Sequence, residues 1–141
     1  MTNSIYPCLW FDGNAKAAAT FYCSVFKNSK ITSENPMVVM FEINGQKLMG
    51  LNGGPHFKFN EAFSLVVNCD TQEEIDDYWN KLTADGGQES MCGWLKDKFG
   101  FSWQIVPSII GELMSDPARM QRIMPVIMTM KKLDIEKLKN A

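Results

Sequence analysis

The chain has 141 residues, of which 45% are hydrophobic and 21% charged, and its net charge is -2. This balance is typical of one soluble globular domain that is long enough to bury a core. No basic excess predicts a nucleic-acid partner, and no apolar run reaches the ~18 residues of a membrane span. Residues 1–5 lack the basic segment of a signal peptide, so we expect a cytoplasmic protein.

The four cysteines are Cys8, Cys23, Cys69 and Cys92, and their wide, irregular spacing matches no zinc motif. This spacing predicts free thiols in a reducing compartment. A nucleophilic cysteine would need a base, and His56 is the only histidine in the sequence. No motif links His56 to a cysteine, so the sequence leaves this chemistry open without supporting it.

The first half of the chain alternates strand, helix and strands. Ile5–Phe11 is predicted to be a strand, and Asn14 to cap the helix that follows with its side chain. Residues 31–34 give a weak strand signal, and Met37–Ile43 and Gln46–Leu51 form a hairpin through Asn44-Gly45. The helix has one apolar stripe, formed by Ala15, Ala18, Ala19, Tyr22, Val25 and Phe26.

The second half repeats this alternation. Phe63–Asn68 is predicted to be a strand covered on both faces, because apolar residues occur on both. Thr71 and Glu74 form a capping box for a helix whose apolar face is Ile75, Tyr78, Trp79 and Leu82. A short strand, residues 88–91, follows. The segment CGWLKDKFGFSWQIVP, residues 92–107, is predicted to be a hairpin turning at Gly100, with residues 96–98 solvated.

The C-terminal third is predicted to be helical. Asp116-Pro117 starts a helix, Pro125 is expected to kink it, and Asp134 caps a last turn through Leu138. The apolar face of the first helix is rich in methionine, which predicts packing, with a ligand or dimer surface as the alternative. Its members are Met120, Ile123, Met124, Ile127 and Met128.

An internal repeat decides the predicted architecture. A strand, a helix and three strands occur twice, and landmarks such as Gly45 and Gly100, or Met49 and Gln104, are about 55 residues apart. The sequence therefore predicts an α+β fold of two βαβββ modules in one domain, residues 1–141. Module one spans about residues 5–54, module two about 62–107, and C-terminal helices about 108–140.

The motifs FDGNAKAAATFY, LNGGPHFKFN and CGWLKDKFGFSWQIVP resemble those of a known family. They are similar to the PhnB-like, demethylubiquinone methyltransferase-like branch of the vicinal oxygen chelate superfamily, which includes glyoxalases and bleomycin-resistance proteins. The resemblance covers Ile5 to Lys139. It implies a concave mixed sheet with helices outside, a ligand cleft inside and a homodimer.

Metal-dependent relatives carry His or Glu at four strand positions that face the cleft. The resemblance places these positions near Pro7, at Met49, at Phe63 or Leu65, and at Gln104. None is His, Asp or Glu, so we predict no metal and no cofactor. Gln104 either orients a substrate carbonyl or phosphate, or only satisfies a neighbour or a trapped water.

The sequence thus predicts a binding protein for a small organic ligand of unknown identity, and it leaves open whether the protein is an enzyme. Predicted ligand-binding residues are Met49, Leu51, His56, Phe63, Leu65 and Gln104. His56 is either a pocket residue or general base, or a solvated loop residue. The alternatives are a metal-dependent lyase or dioxygenase, a methyltransferase, and a sequestering protein of antibiotic-resistance type. A Gly-rich turn that opens a helix, as a methyl-donor site needs, is not found, because Gly53-Gly54-Pro55 leads into a loop.

Overall fold

The structure is a computed structural model that describes residues 3–141. Met1 and Thr2, where the predicted domain begins, lie outside the described residues. The chain divides into two compact units, with the boundary between Phe59 and Asn60. Within residues 3–141, none of the helices is long and apolar enough to cross a membrane.

The first unit is a helix packed on a four-stranded sheet. Its elements are β1 (Cys8–Phe11), α1 (Ala15–Val25), β2 (Lys30–Glu34), β3 (Val38–Ile43) and β4 (Gln46–Asn52). The predicted hairpin turn is confirmed, because Asn44 and Gly45 have φ of 47° and 84°, as a type I′ turn requires. The predicted stripe of α1 is buried against β3 and β4.

The start of α1 is held differently from the prediction. Asn14 is the N-cap residue, but its side chain makes no capping hydrogen bond. Instead, the Asn52 side chain at the end of β4 accepts from the backbone N–H of Ala15 at 2.9 Å, and its amide donates to the carbonyl of Pro36 at 3.0 Å. A distant asparagine therefore joins the helix to the sheet, which no local rule indicates.

We expect Asn52→Ala to lower the free energy of unfolding by about 1–2 kcal/mol, because it removes a helix-capping acceptor and frees a backbone carbonyl. Asn14→Ala is the matched control, with an expected change within about 0.5 kcal/mol. Urea denaturation of the full chain measures both. A larger loss for Asn14→Ala than for Asn52→Ala would contradict this assignment.

The second unit repeats the same layers and adds C-terminal helices. Its elements are β5 (Leu65–Cys69), α2 (Gln72–Thr83), β6 (Gln88–Glu89), β7 (Trp94–Lys96), β8 (Ser102–Pro107), α3 (Ile110–Leu113), α4 (Pro117–Ile127) and α5 (Ile135–Lys139). The predicted capping box is confirmed, since the Thr71 hydroxyl accepts from the Glu74 N–H and the Glu74 carboxylate accepts from the Thr71 N–H. Asp116 and Asp134 cap α4 and α5 as predicted.

The predicted repeat is confirmed by the strand order. The first sheet is ordered β1-β4-β3-β2 and the second β5-β8-β7-β6, so each first strand pairs in parallel with its own fourth strand. In both sheets the remaining neighbours are antiparallel. The two units therefore share one topology, and the α+β prediction is correct.

The turn between β7 and β8 corrects a second prediction. Asp97, expected to be solvated, is only 2% exposed. One carboxylate oxygen accepts from the backbone N–H groups of Phe99 and Phe101 at 2.8 and 3.1 Å, and the other from the Trp103 indole at 2.9 Å. An aspartate in a charged turn is usually exposed, whereas Asp97 is buried because it accepts from three donors inside the hairpin.

The C-terminal helices form a small core of their own, made of Leu113, Ile123, Ile127, Leu133 and Leu138. The methionine-rich face is only partly packed, because Met120 and Met128 are exposed. Backbone hydrogen bonds from Cys92 to Met130 and from Gly93 to Lys131 attach this segment to the loop before β7. The helices therefore belong to the second unit.

Candidate functional site

The face of each sheet opposite its helix is called the open face here. In the first unit, Met49 and Leu51 of β4 lie on the open face, since Leu48 and Gly50 between them are buried on the helix side. Met49 is in register with Cys8 and Met40, and Leu51 with Trp10 and Val38. The two predicted residues therefore lie together on a partly exposed, sulfur-rich and apolar surface.

Gln104 lies on the open face of the second unit, as predicted. Its strand neighbours in register are Val66 of β5 and Trp94 of β7. The Gln104 amide donates to the Ser64 hydroxyl at 2.9 Å, and the amide oxygen has no partner among residues 3–141. Gln104 thus presents an acceptor beside a half-buried tryptophan.

Two predicted residues of the second unit do not join Gln104. Leu65 is in register with buried Trp103, which places it on the helix side, and Val66 is the β5 residue on the open face. Phe63 precedes β5 and contacts the Phe101 ring, with centroids 6.2 Å apart. A strand position one residue away flips the side chain to the other face, which is why the count along the sequence missed Val66.

The expectation that β5 is covered on both faces is also wrong. Val66 is 53% exposed, and Asn68, on the same face, is exposed as well. The alternating burial along Leu65–Cys69 is that of a strand with one free face. The open face of the second unit is therefore accessible at β5.

A cavity of about 510 Å³ adjoins this open face within the second unit. Its polar lining includes Ser102 and the ion pair of Lys96 with Glu61, while Trp94 supplies an apolar wall. Lys96 and Ser102 are directly opposite each other on β7 and β8. The remaining lining residues are Gln88, Glu89, Ser90, Met91, Cys92 and Leu95. Such a volume suits a small organic molecule.

No sequence pattern predicts this cavity, because Lys96 is typical of a turn and Ser102 is a small residue within a strand. One sequence signal does indicate Ser102. It lies two residues before Gln104 on the same strand, so the two side chains point to the same face of the sheet. Glu61 is brought in from a loop 35 residues before Lys96, and no local pattern reveals that pairing.

His56 is an exposed loop residue beside Gly54 in the first unit. No hydrogen bond or ion pair joins it to another residue within the described chain. Cys69 is the one fully buried cysteine among the described residues, and burial, with smaller effects of Glu74 and Asp70, raises the pKa of its thiol to about 12. These residues offer no activated cysteine–histidine pair.

The four positions at which the resemblance implies metal ligands do not suit a divalent cation. Register puts Cys8 rather than Pro7 beside Met49, and Val66 rather than Phe63 or Leu65 beside Gln104. Thiol, thioether, alkyl and amide groups are not the carboxylate and imidazole set of such sites. Within residues 3–141, no group of three or more His, Cys, Asp and Glu side chains could hold a metal ion.

A helix on a four-stranded mixed sheet, repeated once with the same strand order, is the fold that proteins of the glyoxalase and bleomycin-resistance class also have. The family model described as 3-demethylubiquinone-9 3-methyltransferase matches residues 3–106. The chain belongs to this family, in agreement with the resemblance seen in the sequence.

Solved structures of other proteins share the fold of this chain. The PhnB protein from Bacillus cereus is 34% identical, with a TM-score of 0.68, over 75% of this chain and 100% of its own. A glyoxalase-related enzyme from Fulvimarina pelagi is 20% identical, with a TM-score of 0.57, over 77% and 90% of the two chains. The fosfomycin resistance protein FosX from Listeria monocytogenes is 13% identical, with a TM-score of 0.60, over 82% and 97%. The last two show the fold alone. No curated protein matches the chain significantly.

Proposed function

We propose that this protein binds a small organic ligand on the open face of its second unit, without a catalytic metal. The observation that carries the proposal is the cavity of about 510 Å³ beside Trp94, in which apolar walls meet a few polar groups. Ligand sites are commonly built this way, with polar groups fixing orientation. The neighbouring Gln104 amide oxygen supplies a further acceptor on the same face.

Of the residues predicted from sequence, Gln104 is retained in this site, and Val66 replaces Leu65 and Phe63. Met49 and Leu51 are proposed as a second apolar contact surface, on the first unit. His56 is proposed as a solvated loop residue, because it is exposed and no partner among residues 3–141 orients it.

The four tryptophans give a direct test by nuclear magnetic resonance. The Trp79 and Trp103 indoles are buried and donate to Glu89 and Asp97, so their N–H signals serve as internal controls. In a screen of small organic compounds, we expect binders to shift the Trp94 indole and the Gln104 amide signals. Trp94→Phe assigns the first of these signals.

Two results would contradict this site. One is a screen in which no compound moves the Trp94 or Gln104 signals, and the other is a set of binders that move only Trp10, on the first unit. Metal content is measured separately, by mass spectrometry of protein purified without chelator. A stoichiometric divalent ion would favour the alternative of a metal-dependent lyase or dioxygenase.

The methyltransferase alternative is favoured only by descriptions, that of the family model and the matching one in the name of the Bacillus cereus relative. Residues 53–64, which follow β4, contain no helix, so Gly53-Gly54 does not open a helix N-terminus that could hold a methyl donor. Calorimetry with S-adenosylmethionine tests this alternative, and we expect no heat of binding at millimolar concentration. The homodimer and the cytoplasmic location stay predictions, and light scattering after size exclusion measures the first.

A further inference from the structure

The Ser102 hydroxyl is buried without a hydrogen-bond partner among residues 3–141. Ser102 is 1% exposed, and its Oγ makes no hydrogen bond with any of the described residues. No other buried side-chain oxygen or nitrogen within residues 3–141 is left in this state. Because buried hydroxyls are almost always paired, an unpaired one on a residue that lines a cavity points to a partner that enters the cavity.

Lys96 lies opposite Ser102 on the neighbouring strand and brings the only positive charge of the cavity lining described here. The two residues are opposed on adjacent antiparallel strands, so their side chains leave the same face as neighbours. Two carboxylates also line the cavity. Glu89 already accepts from the Trp79 indole at 2.6 Å, whereas Glu61 is held by Lys96 alone among the side chains.

We propose that this cavity binds the oxyanion group, carboxylate or phosphate, of a small organic ligand, and that Glu61 holds the place of that group when the ligand is absent. The Ser102 hydroxyl and the Lys96 ammonium are the donors, and the ligand displaces the Glu61 carboxylate from Lys96. The inference rests on the proposed function, because it names the ligand class of the same site.

The exposure of the ion pair makes the exchange feasible. The Glu61 side chain is 62% exposed and that of Lys96 36%, and ion pairs of this kind contribute little to stability. Glu61 lies in the loop before β5, outside regular structure, so it can turn to solvent without breaking a strand. The ligand oxyanion gains what Glu61 does not have, a hydrogen bond from the buried Ser102 hydroxyl.

Acetate, inorganic phosphate and acetamide are the probes, added to the full chain at constant ionic strength with chloride as the reference anion. The readouts are the Trp94 indole signal and the Ser102 backbone amide signal. We expect acetate or phosphate to shift both with millimolar affinity, and the stronger of the two identifies the source of the oxyanion. Acetamide, which has the shape of acetate without its charge, is expected to bind at least tenfold more weakly.

Three variants separate the roles of these residues, because one should strengthen oxyanion binding and two should weaken it. Glu61→Gln removes the competitor and should tighten oxyanion binding several-fold, whereas Lys96→Met should abolish it. Ser102→Ala should weaken it about five- to tenfold while the thermal midpoint stays the same or rises, since the orphan hydroxyl is removed. Asp77→Asn and Lys81→Met are the matched controls, because these residues form another exposed ion pair in the same unit.

Several results would overturn the inference. These are equal shifts with chloride, unchanged affinity in Ser102→Ala, weaker binding in Glu61→Gln, and absence of oxyanion binding in both the wild type and Glu61→Gln. If acetamide or other neutral compounds move the Trp94 signal at least as strongly as acetate and phosphate do, the oxyanion class is wrong but the proposed ligand site stands. If nothing moves that signal, both are wrong.

Discussion

Asp97→Ala is expected to lower the free energy of unfolding by about 3–4 kcal/mol, because it leaves three donors of the β7–β8 turn, two of them buried, without their acceptor. These donors are the backbone N–H groups of Phe99 and Phe101 and the indole N–H of Trp103. A hydrogen bond to a charged acceptor contributes more than one between neutral groups, and its loss inside the protein is not replaced by water.

Asp97→Asn separates charge from shape. Its carbonyl oxygen can still accept from the two backbone N–H groups, but its NH₂ group then faces the Trp103 indole N–H, donor to donor. We expect a loss of about 1–3 kcal/mol, between wild type and Asp97→Ala. Urea denaturation followed by tryptophan fluorescence measures both variants, and exposed Asp77→Asn is the control. A loss below about 1 kcal/mol for Asp97→Ala would show that the turn does not depend on this carboxylate.

The consequence reaches the candidate site. The Asp97 turn fixes the register of β7 with β8, and this register places Lys96 opposite Ser102 and Trp94 opposite Gln104. A destabilising Asp97 variant should therefore also disturb the Trp94 indole signal. The same loop that stabilises the hairpin orders the polar groups of the cavity.

Gly93→Ala is the second variant with a large expected effect, a decrease of about 3–4 kcal/mol in the free energy of unfolding. Gly93 has φ of 84°, and a Cβ there would lie 2.9 Å from the carbonyl oxygen of Ile105 and 3.1 Å from Leu133. The left-handed conformation costs an L-residue about 1–2 kcal/mol, and the clash adds about 1–3 kcal/mol. Both neighbours are buried, so neither can move aside freely.

Gly100→Ala is the matched control. Gly100 has the same φ of 84°, but a Cβ there would have nothing within 4 Å, so only the conformational cost of about 1–2 kcal/mol applies. The difference between the two variants measures the crowding of the added methyl group against the Ile105 carbonyl of β8 and against Leu133 of the C-terminal segment. Equal losses in urea denaturation would mean that both neighbours yield to the added methyl group.

Local rules were sufficient for several elements. The Asn44-Gly45 turn, the Thr71–Glu74 capping box and the Asp116-Pro117 helix start each depend on residues only a few positions apart. Short-range geometry and hydrogen bonding determine such features, so the sequence predicts them directly. The duplicated order of strands and helices is predicted in the same way, because each element is recognised from its own local pattern.

Long-range partners were beyond those rules. Asn52 caps a helix that begins 37 residues earlier, and Asp97 is buried by donors that the hairpin brings to it. On β5 the sequence predicts Leu65 as a ligand-binding residue, whereas strand pairing puts Val66 beside Gln104. A single-residue uncertainty in where a strand begins is small along the chain but reverses the face of every side chain.

The sequence by itself determined the fold of this protein, the repetition of its modules and its family, because hydrophobic period, turn residues and motifs are written along the chain. Only the tertiary structure decided which side chains share an open face, and that Ser102, Lys96 and Glu61 line one cavity. The register of the paired strands and the position of the Glu61 loop beside Lys96 are both set by contacts between distant residues. The candidate site depends on both.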